Sequence, residues 1–201
     1  MNAVSQQYKP SIMTDPIPSA PETDPDVLLM LEVKAGSNDA LRMLMERWKN
    51  PLLNFFQRSV HNLADAEDLA QATFIRIARA APTYEPKAHF STFLFHVARH
   101  LLINEHRRRM RKPAEPFDPS EMPQTAVSEV ADRECQELDE AFERALGSLP
   151  ENHRTAILLW KQQALSYREI ATIMDASESA VKTWIFRARE ALRQQLKDYL
   201  P

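Results

Sequence analysis

The chain has 201 residues, enough for one or two small domains, and a net charge of −3. With only two glycines, Gly36 and Gly147, and abundant Leu, Ala, Glu, Arg and Met, it points to helices. It excludes sheets built on glycine turns and the glycine-rich phosphate loops of nucleotide enzymes. The weak negative sum hides two basic clusters, Arg99, Arg107, Arg108, Arg109, Arg111 and Lys112, and then Lys182, Arg187, Arg189 and Arg193, with an acidic run between them.

Residues 1–23 are rich in Pro, Ser and Gln and read as a disordered tail. Asp24-Pro25 opens a first helix, with Asp as cap and Pro in the first helical position, and Gly36 closes it. Ser37 starts a second helix that carries Leu41, Leu44, Met45, Trp48, Leu52, Leu53 and Phe56, and Pro51 is expected to bend or interrupt it. Asp65 is the expected cap of a third helix with Leu69, Ala70, Phe74 and Ile77 inward, and 82–89 reads as a loop. Ser91 is the expected cap of a fourth helix, where Leu94, Val97, Ala98 and Leu101 repeat at helical spacing before the arginines.

Residues 113–131 contain Pro113, Pro116, Pro119 and Pro123 among acids and read as a linker. From Asp132 an amphipathic helix places Leu138, Ala141, Phe142, Ala145 and Leu146 on one face, with Gly147 as its stop. Pro150 starts the next helix. Then come two short helices joined by a tight turn. Ser166 and Glu169 form a capping box, Ile170, Ala171 and Met174 face inward, and Asp175-Ala176 end the first helix. Ser177 caps the second, with Glu178 in its first turn. Val181 and Ile185 face inward, which turns Ser179, Lys182, Thr183, Phe186 and Arg187 to the outside or flank. This is a helix-turn-helix whose second helix fits a major groove. The expectation is an all-α chain of two small helical domains, 24–112 and 132–201, that move about a flexible acidic tether.

Cys135 is the only cysteine, so no intrachain disulfide can form, which fits a reducing cytosol. Its acidic neighbours argue against a reactive thiolate. No long apolar run or basic-then-apolar leader pattern occurs, so a cytoplasmic protein without membrane insertion is expected. His96 and His100 have the i, i+4 spacing of a zinc helix, but no HExxH, second cysteine or suitably spaced glutamate accompanies them, so no metal or other cofactor is expected.

Taken in order, Asp65 to Phe74, Phe90 to Arg99, Arg107-Arg108-Arg109, Leu149 to Arg154 and the helix-turn-helix resemble the two conserved regions of bacterial sigma factors of the extracytoplasmic-function group, the small members of the sigma-70 family. The resemblance covers nearly everything except the tail and linker. It implies a non-enzymatic protein that binds core RNA polymerase, directs it to promoter DNA through the −35 and −10 elements and helps open the duplex. It also implies an anti-sigma factor as a partner. By resemblance, Asp65, Glu67, Asp68 and Gln71 bind the polymerase core; for Asp65 a plain interaction with the helix dipole stays equally open.

The segment from the 82–89 loop onward resembles the part that reads and melts the −10 element, where unstacked bases need aromatic platforms and a basic groove. Tyr84, Phe90, Arg99, His100, Arg107, Arg108 and Arg109 are its candidates, Tyr84 having a better claim than Phe90, Phe93 or Phe95, which read equally as core. So many adjacent arginines repel one another, which a phosphate partner explains. Ser179, Lys182, Thr183, Phe186 and Arg187 align with the −35-reading positions. The family commonly has Trp at the place of Phe93, Asn at His100, Asp at Asn104 and often Arg at Trp184, so Trp184 is expected to pack inward. Two rival classes are a helix-turn-helix regulator acting without core polymerase and an enzyme acting on nucleic acid. The first would need a ligand pocket in its N-terminal half, and the second a carboxylate or metal-ligand cluster.

Overall fold

The computed structural model describes residues 24–111 and 131–199, excluding the side chains of 131–136 and 198. The expected tail at 1–23, nearly all of the linker, Lys112 and the Cys135 side chain lie outside the described residues. The described residues form eight helices: α1 Pro25–Lys34, α2 Asn38–Val60, α3 Leu63–Ala80, α4 Phe90–Arg111, α5 Ala131–Ser148, α6 Glu151–Gln162, α7 Tyr167–Met174 and α8 Glu178–Gln195. Short 3-10 turns cover Ala81–Thr83 and Lys197–Tyr199, and no strand occurs among the described residues.

Local chemistry sets most of the helix ends. Asp24 caps α1 by accepting Asp26 N–H at 2.9 Å, Ser37 caps α2, and Gly36 takes the left-handed conformation (φ 98°) between them. Pro51 lies inside α2 without ending it. Two expected caps are corrected. α3 begins at Leu63 because Asn62, one turn before Asp65, accepts Asp65 N–H at 2.9 Å, so Asp65 donates the capped N–H and is not the cap. α4 begins at Phe90, not after Ser91, because the second carboxylate oxygen of Asp24 reaches across to accept Phe90 N–H at 3.0 Å. One aspartate thus fixes the starts of two helices that are 65 positions apart. Gly147 does not end α5, which continues to Ser148.

The first half packs α2 against α3, α3 against α4 and α1 against α2. Its centre is aromatic: Phe55 meets Phe56 and Phe95 edge-on, each at 5.4 Å between ring centroids, and Trp48 meets Phe95 at 6.0 Å. Trp48 is held from its polar side by buried Asp26, which accepts the indole N–H at 3.0 Å and pairs with Arg47. In the second half, α6 buries Thr155 through Leu159 against α8 and α7, whose Ile170, Ile173, Met174, Val181, Ile185 and Ala188 complete the core.

The two halves do not stand apart. α7 lies on α4, while α5 and α6 lie on α2, and the apolar core runs from one half into the other without a break. Arg154 of α6 donates to the Ser59 carbonyl at 3.3 Å and lies 3.2 Å from His61 Nε2, with its other amino group on the Leu149 carbonyl. Arg58–Glu143 (3.1 Å) adds an ion pair across the same seam, and His106 Nδ1 lies 3.3 Å from the Glu151 carboxylate. An inward stripe on α7 reads alike in sequence whichever helix covers it, so this docking had no local signature.

Candidate nucleic-acid interface

The second helix of the helix-turn-helix owes its exposed face to its buried one. In α7 the full capping box is present: Ser166 Oγ accepts Glu169 N–H at 3.3 Å, and Glu169 accepts Ser166 N–H at 2.9 Å. Asp175 ends α7 in the left-handed conformation (φ 50°) and Ser177 caps α8 through Ala180 N–H at 3.2 Å. Because Val181, Ile185 and Ala188 point into the core, Ser179, Lys182, Thr183, Phe186 and Arg187 are all exposed on one side. Phe186 is 65% exposed, unusual for a phenylalanine with no structural duty there. Lys182 Nζ sits 5.5 Å from the centroid of the Tyr167 ring, a cation–π contact between α8 and the start of α7. Trp184 is half-buried and packs on the core, the inward role its sequence context indicated.

The expected −10 residues divide. Arg107 is exposed, whereas Tyr84 and Phe90 are not stacking platforms in this arrangement, a correction to the sequence reading. Tyr84 is buried beneath Phe93 (centroids 5.1 Å), with its hydroxyl pushed up to about 12 by burial and by nearby Asp24. Phe90 is fully buried against Trp48 and Phe93. The Asp24 carboxylate ties the Phe90 N–H to the start of α1, and Lys34 at the other end of α1 donates to the Tyr84 carbonyl at 2.8 Å, so both residues are held down on that helix. Phe93 remains the half-exposed aromatic of this set.

The arginines at the end of α4 also have internal partners. Glu105 accepts from Arg108 twice at 2.7 Å and from Arg109 at 2.9 Å, and the Arg108 hydrogen bonds, followed by those of Arg109, push its carboxyl down to about 2 despite partial burial. Arg109 further pairs with Asp65 and reaches the Val60 carbonyl at 3.4 Å. The i, i+3 and i, i+4 spacing of Glu105 to both arginines was present in the sequence and accounts for much of the tolerated charge. On α3, Glu67, Asp68 and Gln71 are exposed along one side, while Asp65 is half-buried in its Arg109 pair.

Arg99 has little exposed side chain and lies 3.4 Å from Asp175 on the α7–α8 turn. Beside it, Arg76, Arg79, Ala80, His96, Val97 and His100 line an open groove of about 400 Å³ between α3 and α4. Burial, then His96, Arg99 and Arg76, hold the His100 imidazole below its ordinary pKa against the opposing pull of Asp175.

Comparison with known proteins matches this geometry to a family. Residues 44–112 match Sigma-70 region 2, and residues 139–192 match Sigma-70, region 4. The ECF RNA polymerase sigma factor SigW of Bacillus subtilis is 31% identical over 184 residues, spanning 83% of this chain and 94% of SigW. The chain belongs to the extracytoplasmic-function group of the sigma-70 family. It is an alternative sigma factor that directs transcription initiation. The RNA polymerase sigma-H factor of Pseudomonas aeruginosa is 29% identical over 184 residues, spanning 87% of this sigma factor and 95% of that one. The fold is shared with CnrH, solved in complex with the cytosolic domain of CnrY, at a TM-score of 0.67 and 23% identity over 87% of this chain and 99% of that one. In this sigma factor most of α2 with α3 and α4 falls in the region 2 match, and the second half of α5, α6, α7 and most of α8 fall in the region 4 match. No described helix is long and apolar enough to cross a membrane.

Proposed function

We propose that the two halves divide promoter recognition between them, with the exposed face of α8 reading the −35 element in the major groove. The single observation that carries this is the exposure of Ser179, Lys182, Thr183, Phe186 and Arg187 together over a buried Val181–Ile185–Ala188 stripe. Lys182 and Arg187 contact guanine edges or phosphates, and Thr183 and Phe186 give apolar contact to thymine methyls. The −10 element is engaged along α4, with Arg107 and Arg108 on phosphates and the groove beside His100 and Phe93 receiving unstacked bases. Glu67, Asp68 and Gln71 on α3 dock on the polymerase core. The protein performs no chemical step of its own and works in the cytoplasm.

The packing described above is a resting form in this reading. Promoter elements centred about 25 base pairs apart lie about 85 Å apart at 3.4 Å per step. A compact body of this length spans roughly 40–45 Å. The halves therefore separate on polymerase. An anti-sigma factor that favours the closed arrangement is the fitting regulator, a reading supported by the likeness in fold to RpoE of Bartonella quintana, solved in complex with the anti-sigma factor NepR (TM-score 0.61, 22% identity, 78% of this chain and 96% of that one).

The test is transcription in vitro with purified core polymerase and genomic DNA fragments. Lys182→Glu with Arg187→Glu abolishes promoter-specific starts and leaves core binding at its wild-type level. An equal fall in core binding would overturn the assignment of labour.

A further inference from the structure

The docking of α7 on α4 assembles a cluster that neither half contains alone. His96 and His100, one turn apart on α4, bring their Nε2 atoms to 3.2 Å. The Asp175 carboxylate, on the α7–α8 turn, faces both: Oδ1 is 3.7 Å from His96 Nε2 and Oδ2 is 3.8 Å from His100 Nε2. A tetrahedral ion with bonds of about 2.0–2.1 Å to nitrogen and oxygen sets its ligand atoms about 3.3–3.4 Å apart. The two nitrogens are 3.2 Å apart, each has one Asp175 oxygen at 3.7 or 3.8 Å, and one ligand atom from each of the three residues lies within 4.8 Å of the other two, so side-chain rotations bring the set onto such an ion.

The donor chemistry agrees with the geometry. Two imidazoles and a carboxylate suit zinc, cobalt or nickel and not magnesium or calcium, which take oxygen ligands. All three residues are part-exposed to exposed, and the two histidines also line the open groove, which leaves room for a water or other fourth ligand. Against the ion stand Arg99, which shares Asp175 Oδ2 at 3.4 Å, and Arg76 and Arg79 across the groove. Their charge weakens binding, so the site is matched to a reversible ion and not to a permanent structural one. The sequence offered only the histidine pair, and the third ligand becomes visible only when the fold places Asp175 beside it.

We propose that His96, His100 and Asp175 form a divalent transition-metal site that bridges the two halves and holds the molecule closed. The bridging itself is a statement about binding and shape. Its consequence, that the ion keeps the −10 and −35 surfaces from reaching a promoter together, rests on the function proposed above.

Co²⁺ is the probe, added to the full chain with Cys135 replaced by serine and reporter cysteines at exposed Glu46 and Gln194, carrying a fluorescent donor and acceptor. The expected result is one Co²⁺ per chain with the intense visible bands of tetrahedral cobalt, displaced by Zn²⁺, and a narrowed inter-label distance distribution. His96→Ala and Asp175→Asn each weaken Co²⁺ binding at least tenfold and remove the narrowing; asparagine keeps the left-handed turn that Asp175 occupies. Absence of the tetrahedral bands, unchanged affinity in Asp175→Asn, or binding without narrowing would each overturn the proposal. These readouts involve no promoter, so they stand or fall separately from the Lys182 and Arg187 reversal.

Discussion

Replacing Asp24 with alanine removes the starts of two helices with one substitution. One carboxylate oxygen accepts Asp26 N–H at 2.9 Å and caps α1; the other accepts Phe90 N–H at 3.0 Å and lies 3.2 Å from His89 Nδ1. The side chain is only 14% exposed, so water replaces it poorly. Losing the α1 cap costs about 1 kcal/mol. Leaving the Phe90 amide without its charged acceptor adds about 1.5–3 kcal/mol. The sum is about 3 kcal/mol, which for a chain of this size lowers Tm by roughly 6–12 °C. Urea and thermal unfolding followed by circular dichroism measure it. Asp24→Ser separates the two roles, because a hydroxyl still caps α1 but offers no second oxygen to α4, and it recovers only about 1 kcal/mol. A loss below about 1 kcal/mol in Asp24→Ala, or full recovery in Asp24→Ser, would refute the double-cap account.

Three further outcomes are expected. Burial, then Arg154 at 3.2 Å, lower the His61 imidazole below its ordinary 6.5, and His100 and His153 are lowered as well. The folded form prefers these rings neutral, so their share of stability is intact above pH 6.5 and is lost as pH falls through that value toward the folded pKa. The urea midpoint therefore drops on acidification below 6.5, and His61→Gln flattens part of that drop. Glu105→Gln releases Arg108 while Asp65 still holds Arg109, and the salt dependence of holoenzyme binding to promoter DNA steepens by up to about one power of salt; an unchanged slope would show that Glu105 does not compete with the backbone for Arg108. Phe186→Ala leaves unfolding within about 0.5 kcal/mol of wild type because the ring is exposed, while binding of a −35 duplex weakens several-fold; intact binding would remove Phe186 from the reading face.

What could be read from the sequence was what neighbours in sequence decide. The Ser166–Glu169 capping box, the Ser177 cap and the inward Val181 and Ile185 are settled within one or two helical turns, and the exposed face of α8 follows from them. Asp65 reads as a cap by residue type, but Asn62, three residues earlier, takes that role and sits where α3 begins. Tyr84 and Phe90 were harder, since each is held by a residue distant in sequence, Tyr84 by Lys34 and Phe90 by Asp24. The grip of Glu105 on two arginines is legible in its i, i+3 and i, i+4 spacing, although a row of adjacent arginines points equally to outside partners. The docking of α7 on α4 was not legible at all. Stripes such as Ile170–Ala171–Met174 specify that something covers them, not which helix does, and with that docking went the meeting of Asp175 with His96 and His100.

Three residues other than glycine adopt positive φ among those described: His61 (54°), Ala164 (51°) and Asp175 (50°). Two of them, His61 and Asp175, end helices at the places where glycine is most at ease, and each carries the side chain that touches the opposite half, His61 at Arg154 and Asp175 at Arg99. A side chain in that conformation strains its own turn by about 1 kcal/mol. Each half is thus slightly less durable by itself than it could be, and the pair is more firmly joined. Glycine at either position would move the two quantities in opposite directions, hardening the half and loosening the whole. Fold robustness and readiness to open are set here by the same two residues, so they cannot be improved together.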